Sequence, residues 1–89
     1  MDHNKPWRVY IAESIRTKHF YVGISNDPDK RLMNHNAGRG SKFAVDQGPL
    51  KLVYLSPACG GKLEAMKREI QLKKWRREKK IWLIEGKIL

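Results

Sequence analysis

Tyr10 and Tyr21 each lie in a short segment of residue types that favour β-strands. Side chains alternate in direction along a strand, so the apolar neighbours of each tyrosine point one way and the phenol points the other. If the two segments form an antiparallel hairpin with a turn near residues 14–17, Tyr10 falls opposite Tyr21, and both phenols project from the non-core face of the sheet. Gly23 is then expected to leave room for a sugar-phosphate backbone.

A predicted helix after these strands adds positive charge beside the phenols. Asp27 and Pro28 form a helix-start signal, and Gly38 supplies a stop. Within this helix Arg31 and His35 are four residues apart and therefore share one side. A guanidinium and an imidazole on one helical side suit a phosphate.

The elements that position these side chains can be predicted from apolar periodicity and turn signals. They indicate an α+β fold, a small three-stranded antiparallel sheet flanked by helices, within a single domain of residues 1–89. The predicted strands cover residues 6–13, 18–25 and 50–56, and the predicted helices cover 27–37, 61–73 and 75–85.

Apolar spacing also predicts which side of each helix faces the sheet. In the first helix Leu32 and Met33 are expected to turn inward. In the second helix Leu63, Met66 and Ile70 keep a 3, 4 spacing that is typical of a core stripe. In the third helix the predicted core residues are Trp75, Ile81, Trp82 and Ile84.

Several motifs follow one another in a recognisable order. They are Val9-Tyr10-Ile11, Tyr21-Val22-Gly23, an R-L-x-x-H-N-x-G-x-G-x-K-aromatic run at residues 31–43, a strand at 52–54 and an E-A-x-x-x-E helix at 64–69. This order resembles the GIY-YIG nuclease family, in particular small stand-alone domains related to the N-terminal nuclease domain of the bacterial excision-repair endonuclease. The resemblance covers about residues 7–85.

The resemblance implies a metal-dependent DNA endonuclease that uses Mg²⁺ or Mn²⁺. It carries the family's site onto five residues of this chain, with Glu64 as the metal ligand: Tyr10, Tyr21, Arg31, His35 and Glu64.

Phosphodiester hydrolysis needs a deprotonated water, charge relief on the phosphoryl oxygens and a stabilised leaving oxygen. Glu64 offers a hard oxygen ligand to Mg²⁺, which typically takes one or two carboxylates beside waters and substrate phosphate. Arg31 offers a forked donor to phosphate. The proton-transfer role stays open among Tyr10, Tyr21 and His35, because a phenol with a pKa of about 10 needs help to act as a base at neutral pH.

Composition independently predicts a polyanion partner. The chain has 19 Lys plus Arg against 9 Asp plus Glu, a formal charge of +10. DNA is the expected partner, with RNA, protein partners and oligomeric state left open. The residues expected to contact nucleic acid are Arg39, Lys42, Lys73, Lys74, Arg76 and Arg77. The apolar runs are too short to span a bilayer and the single cysteine allows no internal disulfide, so a cytoplasmic protein without a membrane partner is expected.

Two functions of different classes are compatible with the sequence. The first is a metal-dependent endonuclease acting on DNA, with structure selectivity and a link to repair or recombination as its finer hypothesis. The alternative is a non-catalytic nucleic-acid-binding module that kept the fold. Glu64 favours the first, because a carboxylate among phosphates would repel the partner of a pure binding module.

Overall fold

A computed structural model of the protein describes residues 5–39 and 48–89. Its three strands are β1 (Arg8–Ser14), β2 (Phe20–Ser25) and β3 (Leu50–Leu55). They form one antiparallel sheet in the order β2-β1-β3, which confirms the predicted three-stranded sheet. The central strand β1 is buried on both sides, and β2 leaves one edge of the sheet open.

Three helices flank the sheet: α1 (Pro28–Asn34), α2 (Lys62–Lys73) and α3 (Arg77–Ile84). The start signal of α1 is confirmed, since the Asp27 carboxylate accepts a hydrogen bond of 3.3 Å from the backbone N–H of Lys30 and Pro28 occupies the first turn. A wide turn, His35–Arg39, continues α1 until Gly38, whose φ of 82° ends the helical path. The α+β class predicted from the sequence is therefore confirmed.

The predicted register of the hairpin is wrong by two residues. Tyr10 lies opposite Gly23, and Tyr21 lies opposite Ala12. The physical reason lies in the turn, where Lys18 adopts a φ of 68° and moves the centre of the turn one residue further along the chain than predicted. Because a shift of two keeps every side chain on its face, both phenols still project from the same side.

The sheet packs on both faces. On one face Val9 and Ile11 join Ala65, Leu72 and Leu83 of the helices α2 and α3. On the other face Tyr10 and Ala12 pack against Leu32 of α1. The face that carries the tyrosines is thus a second small core, not the non-core face that was predicted, because α1 covers it.

Helix α2 presents a different side to the sheet from the one that periodicity predicted. Leu63, Met66 and Ile70 are exposed, whereas Ala65 and Leu72 are fully buried. The small side chain of Ala65 allows the helix backbone to approach the sheet closely, and this contact takes precedence over the larger apolar stripe. Met33 of α1 and Trp82 of α3 are also exposed, while their neighbours Leu32 and Leu83 are buried.

In α3 the remaining predictions hold in part, since Trp75, just before the helix, and Ile84 pack against the larger core. Among residues 5–39 and 48–89 the structure contains no helix with the length and apolar character needed to cross a membrane.

The orientation of α2 yields a matched test on two leucines of one helix. Leu72 has 0% of its surface exposed and Leu63 has 59%. We expect Leu72→Ala to lower the free energy of unfolding by about 2–5 kcal/mol, because it leaves a cavity in the core. Leu63→Ala should change it by no more than about 0.5 kcal/mol. Urea unfolding followed by circular dichroism measures both changes. A larger loss of unfolding free energy in Leu63→Ala than in Leu72→Ala would show that the side of α2 predicted from the sequence faces the sheet.

Candidate active site

Tyr10 is at the centre of the candidate site. It is 8% exposed, and its ring lies directly over Gly23 of the neighbouring strand. A Cβ atom at position 23 would lie 2.6 Å from the phenol oxygen and 2.7 Å from Cζ. Gly23 therefore makes room for the ring of Tyr10, and the space expected for a sugar-phosphate backbone is already filled.

Arg31 contacts the hydroxyl of Tyr10 from helix α1. Burial raises the pKa of Tyr10, while the charge and the hydrogen bond of Arg31 oppose that rise. The pKa stays above its ordinary value, so the phenol keeps its proton and can donate a hydrogen bond. The side chain of Arg31 is itself exposed and accessible to a ligand.

Glu69 is the acidic residue that acts on Tyr10. Its negative charge is felt at the phenol and raises the pKa of Tyr10 further. Its side chain is only 20% exposed, and one carboxylate oxygen lies 3.5 Å from the ammonium of Lys73. The influence of Glu69 on Tyr10 was not predicted from the sequence, although a signal was present. Ala65, Glu69 and Leu72 follow a 4, 3 spacing, which places Glu69 on the inward side of α2.

Glu64 lies elsewhere on the same helix. It is exposed in the first turn of α2, with its carboxylate beside the backbone of Gly60 and Gly61. It is five residues from Glu69, which corresponds to about 7.5 Å along the helix axis and to another side of the helix. The electrostatic partners that shift the pKa of Tyr10 are Arg31 and Glu69.

Tyr21 is half-buried and diagonal to Tyr10 on the same face of the sheet. Such diagonal neighbours are about 7–8 Å apart, within reach of large side chains. The structure thus brings Tyr10, Tyr21 and Arg31 to one side of the sheet, in agreement with the direction of both phenols predicted from the sequence.

His35 follows the last residue of α1 and contacts the backbone of Gly48. Its Nε2 lies 3.1 Å from the carbonyl oxygen of Gly48, which can only accept, so Nε2 carries the proton and donates. The next residue, Asn36, pairs with both backbone groups of Leu50, at 2.8 and 3.0 Å. Together these contacts fasten the end of α1 to the start of β3.

The basic residues occupy different environments. Lys73 pairs with Glu69, Lys74 and Arg76 are exposed between α2 and α3, and Arg77 is tied to the hairpin. Lys42 and the side chain of Arg39 lie outside the described residues.

The donor set near Tyr10 fits a hard divalent cation. No group of three or more His, Cys, Asp or Glu side chains gathers in the part of the chain that the structure describes. A single partly buried carboxylate, Glu69, beside an arginine that can hold a phosphate matches the few protein ligands that Mg²⁺ requires when substrate and waters supply the rest.

Comparison with known proteins identifies the family of the chain. Residues 6–81 match the family described as the GIY-YIG catalytic domain. The chain belongs to the GIY-YIG family. It is 36% identical to a UPF0213 protein of Vibrio cholerae over 81 residues, which cover 91% of this chain and 79% of that protein. It is 41% identical to a UPF0213 protein of Staphylococcus saprophyticus over 76 residues, which cover 85% and 90%.

The fold is also that of a UPF0213 protein from Bacillus halodurans solved by solution NMR. The TM-score is 0.51 at 35% identity, over 91% of this chain and 84% of that one. In this GIY-YIG domain the tyrosine of the first motif packs on the glycine of the second. The two motifs are therefore one packing unit.

The electrostatics of the site predict opposite effects of two substitutions on one titration. Arg31→Gln should raise the pKa of Tyr10 further, because it removes the charge and the hydrogen bond that lower it. Glu69→Gln should lower the pKa, because it removes a negative charge. NMR titration of the labelled phenol carbon of Tyr10 measures both, and Tyr10→Phe identifies the signal. An unchanged pKa in both variants would show that neither Arg31 nor Glu69 affects the ionisation of Tyr10.

The same shift has a consequence for stability. The folded-state pKa of Tyr10 lies above the ordinary value of 10.0. The protonated phenol therefore contributes fully to the free energy of unfolding below about pH 10, and this contribution is lost as pH rises through the folded-state pKa. As pH rises above about 10, the free energy of unfolding should therefore fall less in Tyr10→Phe than in the unmodified protein.

Proposed function

We propose that the protein is a metal-dependent endonuclease that hydrolyses phosphodiester bonds in DNA. The observation that carries the proposal is the environment of Tyr10 in a GIY-YIG domain: its hydroxyl is hydrogen-bonded to the Arg31 guanidinium, and the negative charge of Glu69 raises its pKa. A phenol, a guanidinium and a carboxylate thus come from three separate elements. This set meets the needs of phosphodiester hydrolysis: charge relief on the phosphoryl oxygens, a donor to an oxygen and a ligand for a hard cation.

Arg31 binds the scissile phosphate in this proposal. Its exposed guanidinium can fork two N–H groups onto phosphoryl oxygens, where negative charge increases in the transition state. The contact with Tyr10 limits the freedom of this long side chain, so less conformational entropy is lost when phosphate binds. Tyr10, protonated because of its raised pKa, donates to a phosphoryl or water oxygen and does not serve as the base.

Glu69 is the proposed metal ligand, in place of Glu64. It is partly buried and close enough to Tyr10 to affect its ionisation, whereas Glu64 is exposed in the first turn of α2. When bound, Mg²⁺ or Mn²⁺ supplies Lewis acidity and lowers the pKa of water. Lys73, paired with Glu69, fixes the carboxylate and offsets its repulsion of the incoming phosphate.

Tyr21 and His35 remain the candidates for accepting a proton. His35 already donates Nε2–H to the carbonyl of Gly48, so only its Nδ1 can act as the acceptor. Tyr21 shares a sheet face with Tyr10 and faces an open groove. We propose Tyr21 as the group that positions the attacking water, with His35 mainly fastening α1.

The binding surface for DNA is proposed to include Lys74 and Arg76, which are exposed in the connection between α2 and α3. With a net charge of +10, counterion release should make affinity fall steeply with salt. The same charge would serve the alternative function, a non-catalytic nucleic-acid-binding module. Glu69 favours the nuclease, because a carboxylate near a bound phosphate weakens binding, whereas a metal-dependent nuclease uses it as a ligand.

The decisive experiment is a cleavage assay with Mg²⁺ on linear, nicked, flapped and branched DNAs. Cleavage of at least one substrate supports the nuclease, and a preference for nicked or branched DNA would support structure selectivity and a role in repair or recombination. Binding to all of them without cleavage in Mg²⁺ or Mn²⁺ would establish the non-catalytic alternative.

The two glutamates of α2 provide a matched pair for this assay. Glu69→Gln should reduce turnover on the order of 10²-fold or more, because it removes the metal ligand. DNA affinity should stay equal or improve, since one negative charge is gone. Glu64→Gln makes the same chemical change at an exposed position and should cleave at nearly the unmodified rate. The reverse pattern, with Glu64→Gln inactive, would return the ligand role to Glu64.

Arg31→Lys tests the proposed role of the guanidinium, because it keeps the charge and removes the fork. We expect turnover at saturating DNA to fall about 10²-fold while the dissociation constant for DNA in EDTA changes less than about threefold. Equal losses in turnover and affinity would show that Arg31 only binds DNA.

A further inference from the structure

A groove of about 320 Å³ lies at the open edge of β2, between the β1–β2 hairpin and the start of α3. Tyr21 is one of its lining residues, and Arg77 stacks on Phe20 within it, on the face of the sheet opposite to the Tyr10 phenol. Its walls carry two lysine or arginine side chains, one histidine and two aromatic rings, and none of its lining residues is acidic: His19, Phe20, Tyr21, Arg77 and Lys80.

Arg77 is held in the groove by three contacts. Its Nη1 donates a hydrogen bond of 2.8 Å to the carbonyl oxygen of Lys18, and its Cζ lies 4.1 Å from the centroid of the Phe20 ring. Its Nη2 lies 3.8 Å from the Glu13 carboxylate, while the side chain remains 51% exposed. Arg77 therefore presents a positioned guanidinium to the groove, with little entropy left to lose on binding.

Lys80 lies three residues after Arg77 on α3, is half-buried and also lines the groove. Among the described residues none of the ion pairs uses its ammonium. A phosphate in the groove can pair with this ammonium and with N–H groups of Arg77, whose charge the Glu13 carboxylate already offsets in part.

We infer that this groove is a second phosphate-binding subsite, which holds a backbone phosphate of the same strand beyond the scissile one. The inference rests on the proposed nuclease function for the identity of the polyanion. Tyr21 lines the groove from the edge strand β2, so a strand whose scissile phosphate is at Arg31 on one face of the sheet can pass around this open edge to Arg77 on the other face. Arg77 and Lys80 would then fix which way the strand runs across the site.

Lys79 and Lys80 make the inference testable, because they are adjacent on α3 and carry the same charge. The ammonium of Lys79 lies over the ring of Trp75 at 4.2 Å, away from the groove. Changing either residue to Gln removes one positive charge and therefore weakens long-range attraction to DNA equally. A difference between the two variants isolates the groove.

The probe is a 5′-phosphorylated thymidine trinucleotide, titrated in EDTA and followed by NMR. We expect shift changes at the backbone amides of Tyr21 and Lys80. Lys80→Gln should weaken binding about 3- to 10-fold, Lys79→Gln less than about twofold, and Lys80→Arg should restore affinity. Equal weakening by the two Gln variants, or shift changes that avoid the groove, would overturn the inference.

A second measurement tests whether Lys80 contacts one particular phosphate of the trinucleotide. Replacing one internal linkage of the trinucleotide by an uncharged methylphosphonate should weaken binding to the unmodified protein at one position only, and Lys80→Gln should be insensitive to that replacement. Additive losses would show that Lys80 does not contact this phosphate. Both measurements are made without Mg²⁺ and do not depend on catalysis. Absence of cleavage in the separate Mg²⁺ assay would refute the proposed nuclease and leave the subsite to be judged on its own.

Discussion

The ring of Tyr10 packed over Gly23 is the contact on which the site depends. A Cβ at position 23 would lie 2.6–2.9 Å from three atoms at the end of the Tyr10 side chain, so a larger residue there would force the ring to move. In the observed register of β1 on β2 the ring places its hydroxyl where α1, packed through Leu32, brings Arg31. The two sequence motifs thus determine how β1 packs on β2, in addition to supplying side chains for chemistry.

The electrostatic state of the site follows from that packing. Burial raises the pKa of Tyr10 and keeps the phenol neutral, while the charge and the hydrogen bond of Arg31 lower the pKa and the charge of Glu69 raises it. The guanidinium of Arg31 can only donate, so it donates to the phenol oxygen, and the phenol proton stays available for another acceptor. A neutral hydroxyl adds no buried charge of its own to the site.

The sequence predicted the order and type of the elements well, because local signals fix them. Asp27 and Pro28 start α1, Gly38 ends it, and alternation marks the strands. It failed on α2, where Leu63, Met66 and Ile70 are exposed and the buried residues are Ala65 and Leu72. Apolar periodicity measures the size of a stripe and not the distance at which a helix packs, so the side of α2 that faces the sheet, and with it Glu69, depended on tertiary packing.

The same limit applies to the basic residues. Nine positive side chains between residues 62 and 80 look equivalent in sequence, yet Arg77 is bound to the hairpin, Lys79 covers Trp75 and Lys73 pairs with Glu69. Arg77 joins α3 to the β1–β2 hairpin, because one guanidinium both donates to the carbonyl of Lys18 and stacks on the ring of Phe20. Its neighbours in the basic run make none of these contacts with the hairpin among the described residues, so equal charge in the sequence does not mean an equal position on the surface.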